Sequence, residues 1–152
     1  MGPLIKLDPN IYSPVLKMVS KVLGAMMPSI YFGGIDETGI TRDEDVVKRV
    51  AEDPLCWHGG IKLGLANVLF KALDDLEKNE CLKKITTPLL VLQGSQDRII
   101  LPAGAPFLHE NVGSAHKKLL MYDEAYHNMY CELEDIKEAV IKETCDWIGQ
   151  YS

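Results

Sequence analysis

The spacing of apolar residues changes along the chain, and each change predicts an element. Leu89-Leu90-Val91-Leu92 is a continuous apolar run opened by Pro88. A run without alternation suits a parallel strand covered on both faces. A second strand, Lys118-Leu119-Leu120-Met121-Tyr122, follows one helix later, so the pair is expected to run parallel with the helix as crossover. Elsewhere the period is helical. Val15, Met18, Val19, Val22 and Met26 recur at helical steps within residues 14–27, interrupted by Lys17, Ser20 and Lys21. Leu63, Ala66, Phe70 and Leu73 form one stripe of a long helix expected over 59–82, with a bend near Gly64. Leu133, Ile136, Val140, Ile141 and Ile148 predict a closing amphipathic helix over 132–150, its apolar residues available to the sheet. Strands joined by helices make this an α/β chain.

Turn and cap signals fill the intervals. Residues 28–39 read as irregular, with Gly33-Gly34 and Gly39 supplying turns. Thr41 with Glu44 three residues on reads as a capping box that opens a mostly solvated helix over 42–51. Asp53-Pro54 ends it, because the residue before proline is pushed out of the helical region. Residues 74–80 form a solvated charge run, and no internal repeat or low-complexity tract interrupts the chain.

Two residues stand where chemistry collects in such sheets. The first strand ends in Gln93-Gly94-Ser95-Gln96-Asp97, and Asp97 falls just past its carboxyl end. The second delivers Glu124-Ala125-Tyr126-His127 to the same edge. A histidine can take a proton from a hydroxyl nucleophile and return it to a leaving group, and a buried carboxylate fixes its tautomer. Asp97 and His127 are therefore the candidate catalytic residues. Each has a plainer reading: Asp97 as a cap of the next helix, His127 as a structural or surface residue. His58 reads as a surface or packing residue, and His109 and His116 as surface residues.

The same stretches resemble a known family. ITTPLLVLQGSQDRII, LLMYDEAYHNMYCELED and the closing helix with Asp146-Trp147-Ile148 look like the C-terminal half of monoacylglycerol lipases, serine hydrolases of the α/β-hydrolase fold. Thr41-Arg42 and Asp53-Pro54-Leu55 are similar to the [ST]-R…D-P-L segment of that family's cap. The resemblance implies a partial α/β-hydrolase fold: a helical cap over 8–82, then the last two parallel strands and their helices over 83–152. It implies that Asp97 is the triad acid, His127 the triad base, and a monoacylglycerol or related lipid ester the substrate. Lysophospholipids and other esters are the alternative substrates. Val50 stands where the family usually has a tyrosine, which leaves head-group preference open. The family's nucleophile serine lies in a G-x-S-x-G turn upstream of both residues. No such motif occurs here, and the His-Gly type oxyanion loop is absent too. The chain alone is expected to be inactive; its non-catalytic alternative is a truncated product that binds lipid or pairs with a fuller hydrolase.

Charge and composition narrow the partners. The 152 residues are 47% hydrophobic and 25% charged, as for a folded domain, and the net charge of −6 argues against nucleic acid. The four cysteines, Cys56, Cys81, Cys131 and Cys145, form no C-x-x-C pair, so no metal or other cofactor is expected. With no charged-then-apolar leader at the start, they read as reduced thiols of a cytoplasmic protein. The helix over 14–27 is too short to span a bilayer, which takes about 20 apolar residues. The resemblance makes it a cap helix able to rest peripherally on a membrane; the plainer reading is a helix packed on a core. The first strand would lack its other neighbour, and that bare edge predicts self-association.

Overall fold

The computed structural model describes residues 2–6, 13–34, 36–78 and 80–151. The first residues of the expected cap, 8–12, and Asn79 of the charge run lie outside the described residues.

The C-terminal half is built as the apolar runs predict. Strand β3 (Leu89–Gly94) and strand β4 (Lys117–Tyr122) pair in parallel, from Leu89 opposite Lys117 to Gly94 opposite Tyr122. Helix α4 (Gly104–Asn111) is the crossover between them. Because side chains alternate along a strand, neighbouring residues of β3 serve opposite faces. Val91 packs with Leu82, Ala105, Leu108 and Val112 on the α4 side. Leu92 packs with Ala125, Met129 and Val140 on the other, against helix α5 (Glu134–Tyr151). Both faces of the strand are thus covered, which is why its sequence shows no polar alternation. Among the described residues, β3 has β4 as its strand neighbour and leaves its other edge unpaired.

The N-terminal half departs from expectation in detail. Helix α1 (Pro14–Met26) forms where its period predicts, yet its apolar stripe is not what it buries. Met18, Val22 and Met26 are 64%, 55% and 74% exposed, whereas Ser20 is buried. The contact with helix α3 (Leu63–Lys78) includes polar groups: Asn67 Nδ2 donates to the Ser20 carbonyl at 2.9 Å, and Lys17 pairs with Asp74 at 2.7 Å. Asp74 is therefore tied down rather than merely solvated.

The segment 28–39, read as irregular, carries one strand of a short antiparallel pair. Strand β1 (Tyr31–Phe32) lies against strand β2 (Ile61–Lys62). Residues 61–62 are thus strand, and α3 begins at Leu63 rather than at residue 59. Gly64 sits in its first turn with its N–H on the Pro28 carbonyl at 3.0 Å, so no mid-helix bend arises there. Residues 81–82, expected to end that helix, belong instead to a separate 3-10 turn (Cys81–Lys84).

Helix α2 (Glu44–Glu52) also starts later than expected, and its cap is Asp43 rather than Thr41. Asp43 Oδ1 accepts from the N–H groups of Asp45 and Val46 at 3.0 and 3.2 Å. Thr41 is engaged elsewhere: its buried hydroxyl donates to the Cys131 carbonyl at 2.7 Å. Asp53 ends α2 as predicted, with its N–H on the Val50 carbonyl.

Candidate active site

The turn after β3 and the turn after β4 touch because Gly94 lacks a side chain. A Cβ on Gly94 would stand 2.3 Å from the carbonyl oxygens of both Ala125 and Tyr126. Contact at that distance admits only glycine, so the two loops close on each other. Ser95 N–H donates to the Tyr122 carbonyl at 2.9 Å and Gln96 N–H to the Ala125 carbonyl at 3.0 Å. Glu124 then turns the chain with φ 59°, its N–H on Ser95 Oγ at 3.0 Å.

This closure brings the two sequence candidates together. His127 Nδ1 lies 2.9 Å from Asp97 Oδ2, and the Asp97 side chain is wholly buried while that of His127 is 19% exposed. The other carboxylate oxygen, Oδ1, accepts the N–H groups of Ile99 and Ile100, each at 2.9 Å. Asp97 therefore does not cap the next helix, which begins at Gly104; one oxygen holds its own turn and the other faces His127. Burial raises the Asp97 carboxyl, and hydrogen bonds from His127, Ile100, Ile99 and Gln93 outweigh it, leaving the group below its ordinary value of 3.8. An ionised Asp97 holds the proton of His127 on Nδ1 and leaves Nε2 for proton exchange.

Three residues that were not named as candidates support this pair. Gln93, fully buried, donates from Nε2 to Asp97 Oδ2 at 2.9 Å and to the Gly94 carbonyl at 3.1 Å. Glu132, also buried, accepts from the N–H of Tyr126 at 2.9 Å and from Arg42 Nε at 2.8 Å. The Arg42 guanidinium is raised above its usual value, chiefly by that bond to Glu132. Both partners lay inside the quoted motifs, Thr41-Arg42 and the final part of LLMYDEAYHNMYCELED. Their pairing across 90 residues has no local signature.

The cysteines are all free, and among the described residues no group of His, Cys, Asp and Glu could hold a metal ion. His58 pairs with Glu37 through Nδ1 at 2.7 Å, and the His116 ring leans on Tyr151 at 5.3 Å. His58, read from sequence as a surface or packing residue, and His116, read as a surface residue, thus each have a partner.

Comparison with protein families matches residues 1–134 to the serine aminopeptidase S33 hydrolases. The chain belongs to that family. Among curated relatives, it is 33% identical to a monoglyceride lipase of Rattus norvegicus over 149 residues, 98% of this chain and 48% of the relative. It is 33% identical to a monoacylglycerol lipase of Mycolicibacterium smegmatis over 147 residues, 97% of this chain and 51% of the relative. The solved monoacylglycerol lipase of Paleococcus ferrophilus superposes with a TM-score of 0.85 at 26% identity, covering 99% of this chain and 57% of that one. A soluble variant of the Saccharomyces cerevisiae monoglyceride lipase, at 23% identity and a TM-score of 0.83, shares the fold. The chain is a monoglyceride-lipase-like part of an α/β-hydrolase and spans about half the length of the curated relatives it matches.

Proposed function

We propose that this chain supplies the acid and the base of a carboxylic ester hydrolase acting on monoacylglycerols. The carrying observation is the 2.9 Å contact of His127 Nδ1 with the wholly buried Asp97 carboxylate at the joined ends of two parallel strands. His127 takes the proton of a serine hydroxyl as it attacks the acyl carbonyl, then delivers it to the departing glycerol oxygen. Asp97 keeps the imidazole in the tautomer this requires. The serine and its oxyanion donors are not supplied by a G-x-S-x-G turn of this chain. In this reading residues 8–82 are the cap and 83–152 the C-terminal part of the catalytic core. Lysophospholipids and other small esters are the competing substrates. Four free thiols support a reducing, cytoplasmic setting.

The exposed face of α1 supports a second, non-catalytic reading in which the cap binds lipid. Met18, Val68 and Phe70, with Lys21 and Lys71, line a groove of about 670 Å³ between α1 and α3, in which Lys17 is paired with Asp74. Apolar surface flanked by lysines suits peripheral contact with a lipid layer. Among the described residues no helix is long and apolar enough to cross a membrane. The edge of β3 that has no strand partner among the described residues supports pairing with a second chain.

The deciding assay is release of fatty acid from a monoacylglycerol and, in parallel, from a lysophospholipid. It is run with the 152-residue chain and with the natively purified species that carries it. The catalytic reading expects turnover by the native species, abolished by His127→Ala, and none by the chain alone. Binding without turnover by the native species overturns it in favour of the lipid-binding reading.

A further inference from the structure

The loop carrying His127 is held from outside the sheet. His127 N–H donates to the Gly39 carbonyl at 3.4 Å, and Asn128 N–H to the Ile40 carbonyl at 2.7 Å. Thr41 and Arg42 continue the same grip: Thr41 Oγ1 donates to the Cys131 carbonyl at 2.7 Å, and Arg42 reaches Glu132. Residues 39–42, which precede α2, therefore run along the His127 loop as an added layer.

Glu132 is the centre of that grip. Its side chain is 0% exposed. Oε1 accepts the N–H of Tyr126 at 2.9 Å and that of Arg42 at 3.2 Å. Oε2 accepts Arg42 Nε at 2.8 Å and the N–H of Leu133 at 3.4 Å. Tyr126 is the residue before His127, so the carboxylate fixes the peptide from which the imidazole departs. A buried carboxylate is stable only where donors and an opposing charge satisfy it. Every donor here comes from the His127 loop, from Leu133 just before α5 or from Arg42, which gives the charge one local task.

We propose that Glu132, locked by Arg42, is a positioning residue that holds the His127 loop in the orientation from which Nδ1 meets Asp97. The inference rests on the reading of His127 as the proton-transferring base and adds to it: the segment before α2 becomes part of the mount of that base. An amide at position 132 cannot do the same work. Gln offers one oxygen and one NH₂, so whichever way it turns, two N–H groups face a donor. Glu132→Gln thus removes the lock while keeping volume and shape. The other charges near this lock are Glu124, whose Oε2 lies 3.6 Å from Arg42 Nη1, and Asp135, which adds to the field at the guanidinium. Both leave the Tyr126 amide untouched.

The test is ¹⁵N–¹H nuclear magnetic resonance of the imidazoles in the full chain, reading which nitrogen of His127 carries the proton and how fast that proton exchanges. The unmodified protein is expected to show a protected Nδ1 proton. In Glu132→Gln that proton should exchange about tenfold faster or more, with the tautomer shifting toward Nε2–H and the amides of β3 and β4 unchanged. An unaltered tautomer and exchange rate in a folded Glu132→Gln would overturn the inference while leaving the dyad reading intact. Absence of a protected Nδ1 proton from the unmodified protein would instead overturn the dyad reading, and this inference with it. Should Glu132→Gln fail to fold, Arg42→Lys, which keeps the charge and loses the guanidinium fork, decides by the same readout. Faster exchange at His127 supports the role and an unchanged rate removes it.

Discussion

Asp97 divides its carboxylate between His127 and its own turn. Oδ2 meets His127 Nδ1 at 2.9 Å, while Oδ1 holds the N–H groups of Ile99 and Ile100. The folded state therefore favours the ionised acid, whose pKa lies below 3.8. A group depressed on folding contributes stability above its unfolded value and loses it as pH falls through the folded value. Stability should thus decline as pH drops below about 4. Asp97→Asn removes this charge, so its unfolding free energy should be lower by about 1–3 kcal/mol at neutral pH and flatter across the acid range. Urea unfolding at stepped pH reads both.

Gly94 is the second half of that arrangement. A methyl group there would meet the carbonyls of Ala125 and Tyr126 at 2.3 Å, and both are backbone atoms that cannot rotate away. Gly94→Ala should cost about 1–3 kcal/mol as an overpacked contact. Because the two carbonyls belong to the residues before His127, the loss should be accompanied by a displaced His127 signal in nuclear magnetic resonance. A stable variant with His127 unmoved would show that the loops are joined by something other than this contact.

How far the sequence could be read follows from how local each cause is. The strands at Leu89–Gly94 and Lys117–Tyr122 are legible because burial on both faces leaves an apolar run. Asp97 and His127 are legible because they follow those runs directly. The pairing of Tyr31–Phe32 with Ile61–Lys62 is not, since two residues carry no period and the partner is distant. Thr41 was a reasonable cap by spacing. Only the fold reveals that its hydroxyl is taken by Cys131 and that Asp43 caps in its place. Glu132 was hidden for the same reason: a carboxylate in an acidic stretch reads as solvated until Arg42, far upstream, is seen beside it. The stripe of α1 was legible as amphipathic, but which side it buries was not. Ser20 faces α3 while Met18 and Met26 face outward.

Backbone strain beside the site offers a change in the opposite direction. Glu124 adopts φ 59°, a left-handed conformation costing a side-chain-bearing residue roughly 1–2 kcal/mol. Its carboxylate is 82% exposed and 3.6 Å from Arg42, a contact worth little in water. Glu124→Gly relieves the strain and loses part of the gain to the greater freedom of the unfolded chain. Stability should rise by about 0.5–1 kcal/mol. Chemical denaturation checks it, and Glu124→Val, which places a branched Cβ in the same conformation, should fall.

His58 gives a pH response of the other sign. Its pKa is raised above 6.5, first by the hydrogen bond with Glu37 and then by the Asp53 carbonyl. A base raised on folding contributes stability that is fully present below its unfolded value and is lost as pH rises through the folded one. Imidazole titration should place His58 above free histidine, and Glu37→Gln should bring it down. A His58 midpoint unmoved by Glu37→Gln would mean the ion pair is not formed in solution.

The surface of the core half argues for association. The outer edge of β3 is unpaired among the described residues. On α5, Ile141 and Ile148 are 44% and 59% exposed, seven positions apart and so on one side of the helix. Leu89 and Leu90, the partly exposed end of β3, offer backbone groups for pairing, and the exposed isoleucines of α5 offer apolar surface of their own. Sedimentation velocity should therefore show mass rising with concentration, and Ile141→Lys with Ile148→Lys should lower it if the helix face takes part. Association unchanged by the two lysines would assign the contact to the β3 edge alone. A sharp monomer at every concentration, with cooperative unfolding, would mean that the described elements already satisfy themselves.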